Sequence, residues 1–363
     1  MKEEESLSIA GVPVFIDADS TSLFDALKAL ERIGSIHLIC DTNTSTDCMP
    51  LLPYLAQITK EPIILPVGEQ YKNLETCQGV WRSLAQQGAN RNSTVVNLGG
   101  GVVTDLGGFC AATYMRGISF MHIPTTVLGM CDAALGGKHG VDFEGLKNYI
   151  GVIEQPKLIW IHTPFLLTLP LRHFQSGLAE IVKHALIGDP LLFQLLHGNI
   201  NFRTFNKEFL TRAIQVKKHF VENDIQDHKM RAALNFGHTF GHAIESYFLH
   251  TDTPLLHGEC VALGMIAEIW LSHVHLGEPT REVCRKITAL IRKCTPVDVP
   301  GKIKLRALMP YLSMDKKQHA GATRYSLIKG IGHPVIDQEV HYATLEKLLQ
   351  DDEVALFLPW LLR

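Results

Sequence analysis

Within RAALNFGHTFGHAIE, residues 231–245, His238 and His242 stand four apart in an otherwise apolar stretch. At about 100° per residue, one helix through it gathers Arg231, Asn235, His238, His242 and Glu245 into a stripe roughly 80° wide, with Ala233, Leu234 and Phe236 off it. Solvated helix faces are usually rich in Lys and Glu, so Arg, Asn and His point to a polar site set into a core. Imidazoles at i and i+4 can share a metal, and neutral imidazole suits zinc. A second apolar segment, SGLAEIVKHALI, puts Glu180, Lys183 and His184 on one helix face. A carboxylate buried there needs a partner, either Lys183 as a structural ion pair or a metal, with Lys183 then serving a substrate. His257, in LLHGECVALGM, stands just ahead of a third apolar helix, where a histidine can cap or turn as well as ligate. Glu180, His238 and His257 together would supply one carboxylate and two imidazoles from three helices, leaving the open positions that a catalytic zinc requires.

Two further features bear on ligands. In LGGGVVTDLGG, the glycines Gly99, Gly100 and Gly101 follow a strand pattern and precede a helical one, so backbone amides at a helix N-terminus could approach a pyrophosphate. This is not the G-x-G-x-x-G fingerprint, and a plain tight turn is the alternative. Asp41, in ICDTN, could offer a carboxylate to a ribose hydroxyl or simply serve a turn. Cationic side chains recur beside glycines or in apolar surroundings: Arg116, Lys138, Lys147 followed by Asn148, Lys217, Arg231, and the pair Lys316 and Lys317. In a chain of net charge -3 they suggest a substrate with more than one anionic group.

The elements that must position these residues follow from length and pattern. A chain of 363 residues predicts about two domains. Lys plus Arg number 34 against 37 Asp plus Glu, which argues against a broadly basic nucleic-acid surface. MKEEESLSIA lacks the cationic start and apolar run of a secretory signal, and no 18 apolar residues run without a charge, so a cytoplasmic protein is expected. The eight cysteines form no CxxC pair and most sit in apolar runs, which predicts reduced thiols without disulfides or a thiolate metal site. SIHLICD, EPIILPV, STVVNLGGG, SFMHIPTT and KLIWIHT read as buried parallel strands in a βαβ series. After Pro170 helical periods take over at 173–187, 189–200, 206–223, 231–249, 258–275 and 279–294, with brief β alternation in RYSLI. The division is therefore an α/β domain over 1–170 and an all-α domain over 171–363, with the apolar tail EVALFLPWLLR packing on a helical core or partner.

Five blocks in order, NLGGGVVTDLGGFCAATYMRGI, HIPTTVLGMCDAALGGKHGVDFEGLKNYIG, LPLRHFQSGLAEIVKHALI, RAALNFGHTFGHAIE and LHGECVALGM, resemble the signature blocks of the 3-dehydroquinate synthases, within the sugar-phosphate cyclase superfamily. The resemblance runs from about residue 38 to 332. It implies a Rossmann-like N-terminal domain binding NAD, a helical C-terminal domain holding zinc or cobalt, and an active site in the cleft between them. Zinc ligands fall on Glu180, His238 and His257, and His242 falls on a non-ligand active-site histidine, so the i, i+4 pair does not share the metal. NAD positions fall on Asp41, Asn43, Glu69, Lys72, Gly99, Gly100, Gly101, Asp105, Thr125 and Thr126. Catalytic and substrate positions fall on Asp132, Lys138, Asn148, Lys183, Lys217, Arg231, Asn235 and one of Lys316 and Lys317. Lys217 and Arg231 suit a carboxylate, and Lys138, Asn148 and the Lys316, Lys317 region a phosphate. Arg116 resembles an arginine that reaches the phosphate from a neighbouring subunit, which implies a homodimer. The implied reaction turns 3-deoxy-D-arabino-heptulosonate 7-phosphate into 3-dehydroquinate and phosphate, a step of the shikimate pathway, through transient oxidation by NAD, elimination, reduction and aldol closure.

Some residues depart from the family pattern: Thr104 where Gly is usual, Ala133, Ala134 and His139 where Ser, Ser and Thr are usual, and Ile225 and Lys229 before Arg231. Of these, His139 is expected nearest the phosphate pocket. Alternatives are a sibling sugar-phosphate cyclase, whose substrates lack the carboxylate matched by Lys217 and Asn235, a metal-dependent polyol dehydrogenase of the same fold, and a non-catalytic relic.

Overall fold

The computed structural model describes residues 7–17, 20–249, 251–314 and 322–362, so Lys316 and Lys317 lie outside the described residues. The chain divides into two compact units, Met1–Pro170 and Leu171–Arg363. In the first, the elements are β1 (Ser8–Ile9), β2 (Val12–Ile16), α1 (Ser20–Glu31), β3 (Ile36–Asp41), α2 (Thr42–Asp47), α3 (Pro53–Ile58), β4 (Ile63–Leu65), α4 (Leu74–Gln86), β5 (Thr94–Gly99), α5 (Gly101–Thr113), β6 (Ser119–Pro124), β7 (Lys138–Phe143), β8 (Leu146–Ile153) and β9 (Ile159–Ile161). A seven-stranded sheet has the order β1-β2-β9-β6-β5-β3-β4, parallel except for the β1–β2 pair.

Strands β3, β5 and β6 are buried almost throughout, so both faces need mostly apolar side chains and their sequences show no polar–apolar alternation. Ile39, Val95 and Phe120 pack with Leu106 and Phe109 of α5 in the core. From β3 the chain reaches β4 on one side and then crosses to β5 on the other. The carboxyl ends of β3 and β5 therefore border the reversal of winding, where open α/β sheets bind ligands. Asp41 and Gly99 are those ends. The antiparallel hairpin β7–β8, with Lys138 opposite Ile153, interrupts the βαβ series. Its glycine-rich, alternating sequence has no continuous apolar run, the signal that marks the sheet strands.

The second unit holds α6 (Leu171–Gly188), α7 (Pro190–Leu195), α8 (Lys207–Glu222), α9 (His238–Phe248), α10 (His257–Leu276), α11 (Arg281–Cys294), β10 (Ile303–Lys304), α12 (Leu305–Met314), β11 (Ala322–Gly330), β12 (His333–His341), α13 (Tyr342–Leu348), α14 (Asp352–Phe357) and β13 (Leu361–Leu362). It is helical as expected, with the antiparallel β11–β12 hairpin growing out of RYSLI. The single helix expected over 231–249 is in fact two pieces. A 3₁₀ turn over Met230–Asn235 ends at Phe236, and Gly237, at φ 82°, starts α9. That left-handed backbone suits glycine, and it invalidates a 100° stripe drawn through all fifteen residues. His257 is the first residue of α10 rather than a residue ahead of it. The tail packs on the helical core: Phe357 stacks on Trp270 at 5.0 Å, and Leu361 pairs with Ile303.

All eight cysteines are buried thiols without disulfides. Burial raises Cys40 and Cys294 to about 11, and Cys48 and Cys284 to about 12. Since the thiolate is the nucleophile, the native protein should consume almost no thiol reagent at pH 8 and all eight equivalents after denaturation. Rapid labelling of the native protein at two or more sites would contradict this burial.

Candidate functional site

Three helices of the second unit converge on one carboxylate. Glu180, wholly buried in the middle of α6, faces His238 at the start of α9 and His257 at the start of α10. One ligand atom from each lies within 4.8 Å of the others, with His238 Nε2 at 3.5 Å and His257 Nε2 at 3.6 Å from Glu180 Oε1. The other ring nitrogens have acceptors: Phe236 O lies 3.3 Å from His238 Nδ1, and Glu245 Oε2 lies 3.1 Å from His257 Nδ1. With these acceptors behind Nδ1, both Nε2 atoms turn toward Glu180, the backing that ligating histidines usually have. Burial and then Lys183 hold His238 well below its ordinary pKa, in its neutral form. Burial acts the same way on His257, but Glu245 and Glu180 outweigh it and raise the ring to about 10. Two carboxylates thus make this spot attractive to positive charge. One carboxylate and two imidazoles with a backing carboxylate fit a divalent metal such as zinc.

Backbone contacts set this convergence. A Cβ on Gly258 would lie 1.9 Å from Ser176 O, so α10 meets α6 main chain to main chain. Glu259 fixes the start of α10, taking the Leu256 N–H at 2.7 Å and two 2.7 Å bonds from Arg172. Lys183 forms an ion pair with Glu180, the first of the two partners expected from the sequence, and the imidazoles of His238 and His257 stand beside the same carboxylate. His242 lies 5.2 Å from His238 and 5.9 Å from His257, ring to ring. Lys217 on α8 and Arg231 are buried, with Arg231 Nη1 donating to Ile225 O at 3.2 Å. Asn235, His238 and His242 line a cavity with Arg324 and Tyr325 of β11 and Asp337 of β12.

In the first unit, Asp41 caps α2, accepting the Thr44 N–H at 2.8 Å, and Asn43 is exposed on that helix. Gly100 caps α5, and a Cβ there would come within 3.0 Å of Thr126, while Thr125 N–H donates to Gly99 O at 3.0 Å. Buried Lys72 donates to Asp105 at 2.5 Å and to Asn148 at 2.6 Å. Glu69 accepts from Lys147 at 2.5 Å. Glu69, Lys72, Asp105 and Asn148 therefore form one charged group, in which Asp105 and Glu69 outweigh burial and raise the Lys72 pKa. Asp132 lies in the turn over Gly129–Ala133 after β6, Lys138 is exposed at the start of β7, and Arg116 is exposed with φ 72°.

Residues 62–176 match the family described as 3-dehydroquinate synthase N-terminal, and residues 177–318 the one described as 3-dehydroquinate synthase C-terminal. The chain is 36% identical over 344 residues to the 3-dehydroquinate synthase of Parabacteroides distasonis, covering 91% of this chain and 93% of that protein. It belongs to the 3-dehydroquinate synthase family. Its identity to the Synechococcus sp. 3-dehydroquinate synthase is 40% over 296 residues, 79% of this chain and 80% of the relative. Among solved structures, 2-epi-5-epi-valiolone synthase from Streptomyces hygroscopicus subsp. jinggangensis 5008, with NAD+ and Zn2+ bound, aligns with TM-score 0.83 and 29% identity over 97% of this chain and 99% of that one. Glycerol dehydrogenase from Schizosaccharomyces pombe shares the fold at TM-score 0.60 and 14% identity, over 95% of this chain and 89% of that one.

Two departures from the 3-dehydroquinate synthase pattern are absorbed by packing. His139 is buried against Phe120 and His122, bonds Glu154 O at 3.1 Å, and is lowered by burial to about 4. Thr104 is buried and its hydroxyl donates to Gly101 O at 3.1 Å. Ile225 turns its side chain outward while its carbonyl holds Arg231. Sequence reasoning placed Glu245 on a polar stripe without seeing that it backs His257, and it passed over Asp142, which lies 3.0 Å from Lys147, and Arg324. A carboxylate that reaches a histidine from another helix shows only in three dimensions. Lys72→Met leaves Asp105 without its buried cation and should cost roughly 3–5 kcal/mol. Urea denaturation checks this, and a loss under about 1 kcal/mol would mean the pair is solvated.

Proposed function

We propose that this chain converts 3-deoxy-D-arabino-heptulosonate 7-phosphate into 3-dehydroquinate and phosphate, with NAD and one divalent metal, zinc or cobalt, as resident cofactors. The observation that carries the reading is the Glu180, His238, His257 cluster with Glu245 behind it, in the same unit as buried Lys183, Lys217 and Arg231. Bound there, a divalent ion supplies Lewis acidity at a substrate hydroxyl, and a nicotinamide supplies a reversible two-electron acceptor.

The chain's own residues do the rest. Glu180, held by Lys183, presents an ionised carboxylate in a dry setting, and the Nδ1 partners of His238 and His257 aim Nε2 at the same point. Lys217 and Arg231 suit the substrate carboxylate, and Lys138, Asn148 and one of Lys316 and Lys317 its phosphate. The first unit suits the dinucleotide. Its Gly99 to Gly101 turn at the head of α5 offers backbone amides to the pyrophosphate, and Asp41 ends a strand at the switch point, where a ribose hydroxyl can be met. Glu69, Lys72, Asp105, Thr125 and Thr126 complete that side, with Asn43 beside Asp41, while Asp132, Asn235 and His242 are assigned to the reacting sugar. Because the substrate's own phosphate can take the proton lost before elimination, no protein base is assigned. Carbon–oxygen lyase chemistry, a homodimer in which Arg116 serves the partner's phosphate, and a cytoplasmic setting complete the reading. No described helix is long and apolar enough to cross a membrane.

Phosphate release with the heptulosonate phosphate and NAD should be abolished by chelation and restored by zinc or cobalt. Glu180→Gln or His257→Ala should lower turnover roughly a thousandfold or more while far-UV circular dichroism stays native. Turnover of sedoheptulose 7-phosphate or glucose 6-phosphate alone would assign a sibling cyclase. Net NADH formation from a polyol would assign a dehydrogenase.

A further inference from the structure

Glu268 is a charged residue with no exposed surface, set among Ile, Ala and Trp in the middle of α10. Its Oε2 accepts the Gly237 N–H at 2.5 Å and its Oε1 accepts the Phe240 N–H at 3.1 Å. The first N–H groups of a helix have no partner within it, and Gly237, the N-cap of α9, has no side chain to accept them. A carboxylate from a neighbouring helix takes that part, and its negative charge also suits the positive end of the helix dipole. The fit between the helices is close. A Cβ on Gly264 would lie 2.0 Å from Gly237 O, and one on Gly237 would lie 2.4 Å from Met265 Cγ. The two N–H groups held by Glu268 flank His238, whose ring is backed in turn by Phe236 O from the same turn.

We propose that Glu268 is a positioning residue for the metal ligand His238. It is a cap lent by the helix that begins with His257 to the helix that begins with His238, so the two imidazoles are set relative to each other by one buried carboxylate. The inference rests on the metal reading of Glu180, His238 and His257. A carboxylate lets both N–H groups find an acceptor. Glutamine offers one oxygen and turns an N–H₂ toward the other donor, and alanine offers none.

The test compares full-length wild type, Glu268→Ala, Glu268→Gln and Thr288→Val. The last removes the 3.2 Å hydrogen bond from Trp270 Nε1 to a residue of α11 and alters none of the hydrogen bonds that Glu268 makes to α9. Readouts are Zn2+ affinity by chelator competition, the visible absorption of the Co2+ form, and melting temperature. Glu268→Ala should lose about ten- to hundredfold in Zn2+ affinity and shift the Co2+ bands, Glu268→Gln should fall between, and Thr288→Val should melt earlier with wild-type affinity and bands. Should Glu268→Ala not fold, Glu268→Gln decides. Wild-type affinity and Co2+ spectrum in the folded Glu268 variants, or an equal affinity loss in Thr288→Val, would overturn the inference while leaving the metal reading intact. A wild type that takes up neither metal would overturn both.

Discussion

The buried carboxylate of Glu180 is the constraint that organises the second unit. An ionised group with no exposed surface costs several kcal/mol unless opposite charge or donors surround it. Lys183 one turn along α6 meets part of that need, and the rings of His238 and His257 arrive from two other helices. Those helices reach the carboxylate because glycine removes the side chain at their crossings, with Gly258 against Ser176 and Gly264 against Gly237. The energetic cost of the charge and the closeness of the backbones are two sides of one arrangement, because three bulky helices at ordinary separation would leave Glu180 facing hydrocarbon.

The first unit treats charge in the same way on a smaller scale. Lys72 is buried where α4 is about to begin, and it holds Asp105 of α5 and Asn148 of the β7–β8 hairpin. This ties the hairpin, which is not part of the main sheet, to the helix that follows the glycine turn. The parallel sheet supplies rigidity and a switch point, and the charged group links the loops above it. In each unit a buried charge is thus matched by partners from several elements that packing holds in place.

The sheet was legible because strands buried on both faces must be mostly apolar without alternation, as β3, β5, β6 and β9 are, with buried His37, Asn97 and His122 among the exceptions. The hairpin β7–β8 was not, because polar residues and glycines interrupt its apolar ones and leave no such run. Glu180, His238 and His257 could be singled out as polar residues in apolar helices, a pattern that burial forces on any interior site. The break at Gly237 was missed because a single glycine inside a helical period is common, and only contact with Met265 and Glu268 shows why it is needed. That the His139 ring lies buried beside His122 was not visible in the sequence either. Side-chain direction in a hairpin depends on register, which one residue in either direction reverses. The pairing of Glu245 with His257 joins two helices across a loop, so no local spacing reveals it.

A metal bound by these three helices has a first shell unlike a thiolate or an all-carboxylate site. X-ray absorption at the zinc edge of the loaded, substrate-free protein reads that shell directly. Glu180, His238 and His257 predict nitrogen and oxygen neighbours at about 2.0–2.1 Å with outer-shell scattering from two imidazole rings and no sulfur. A sulfur neighbour, or outer-shell scattering without the two rings, would show that the ion sits elsewhere.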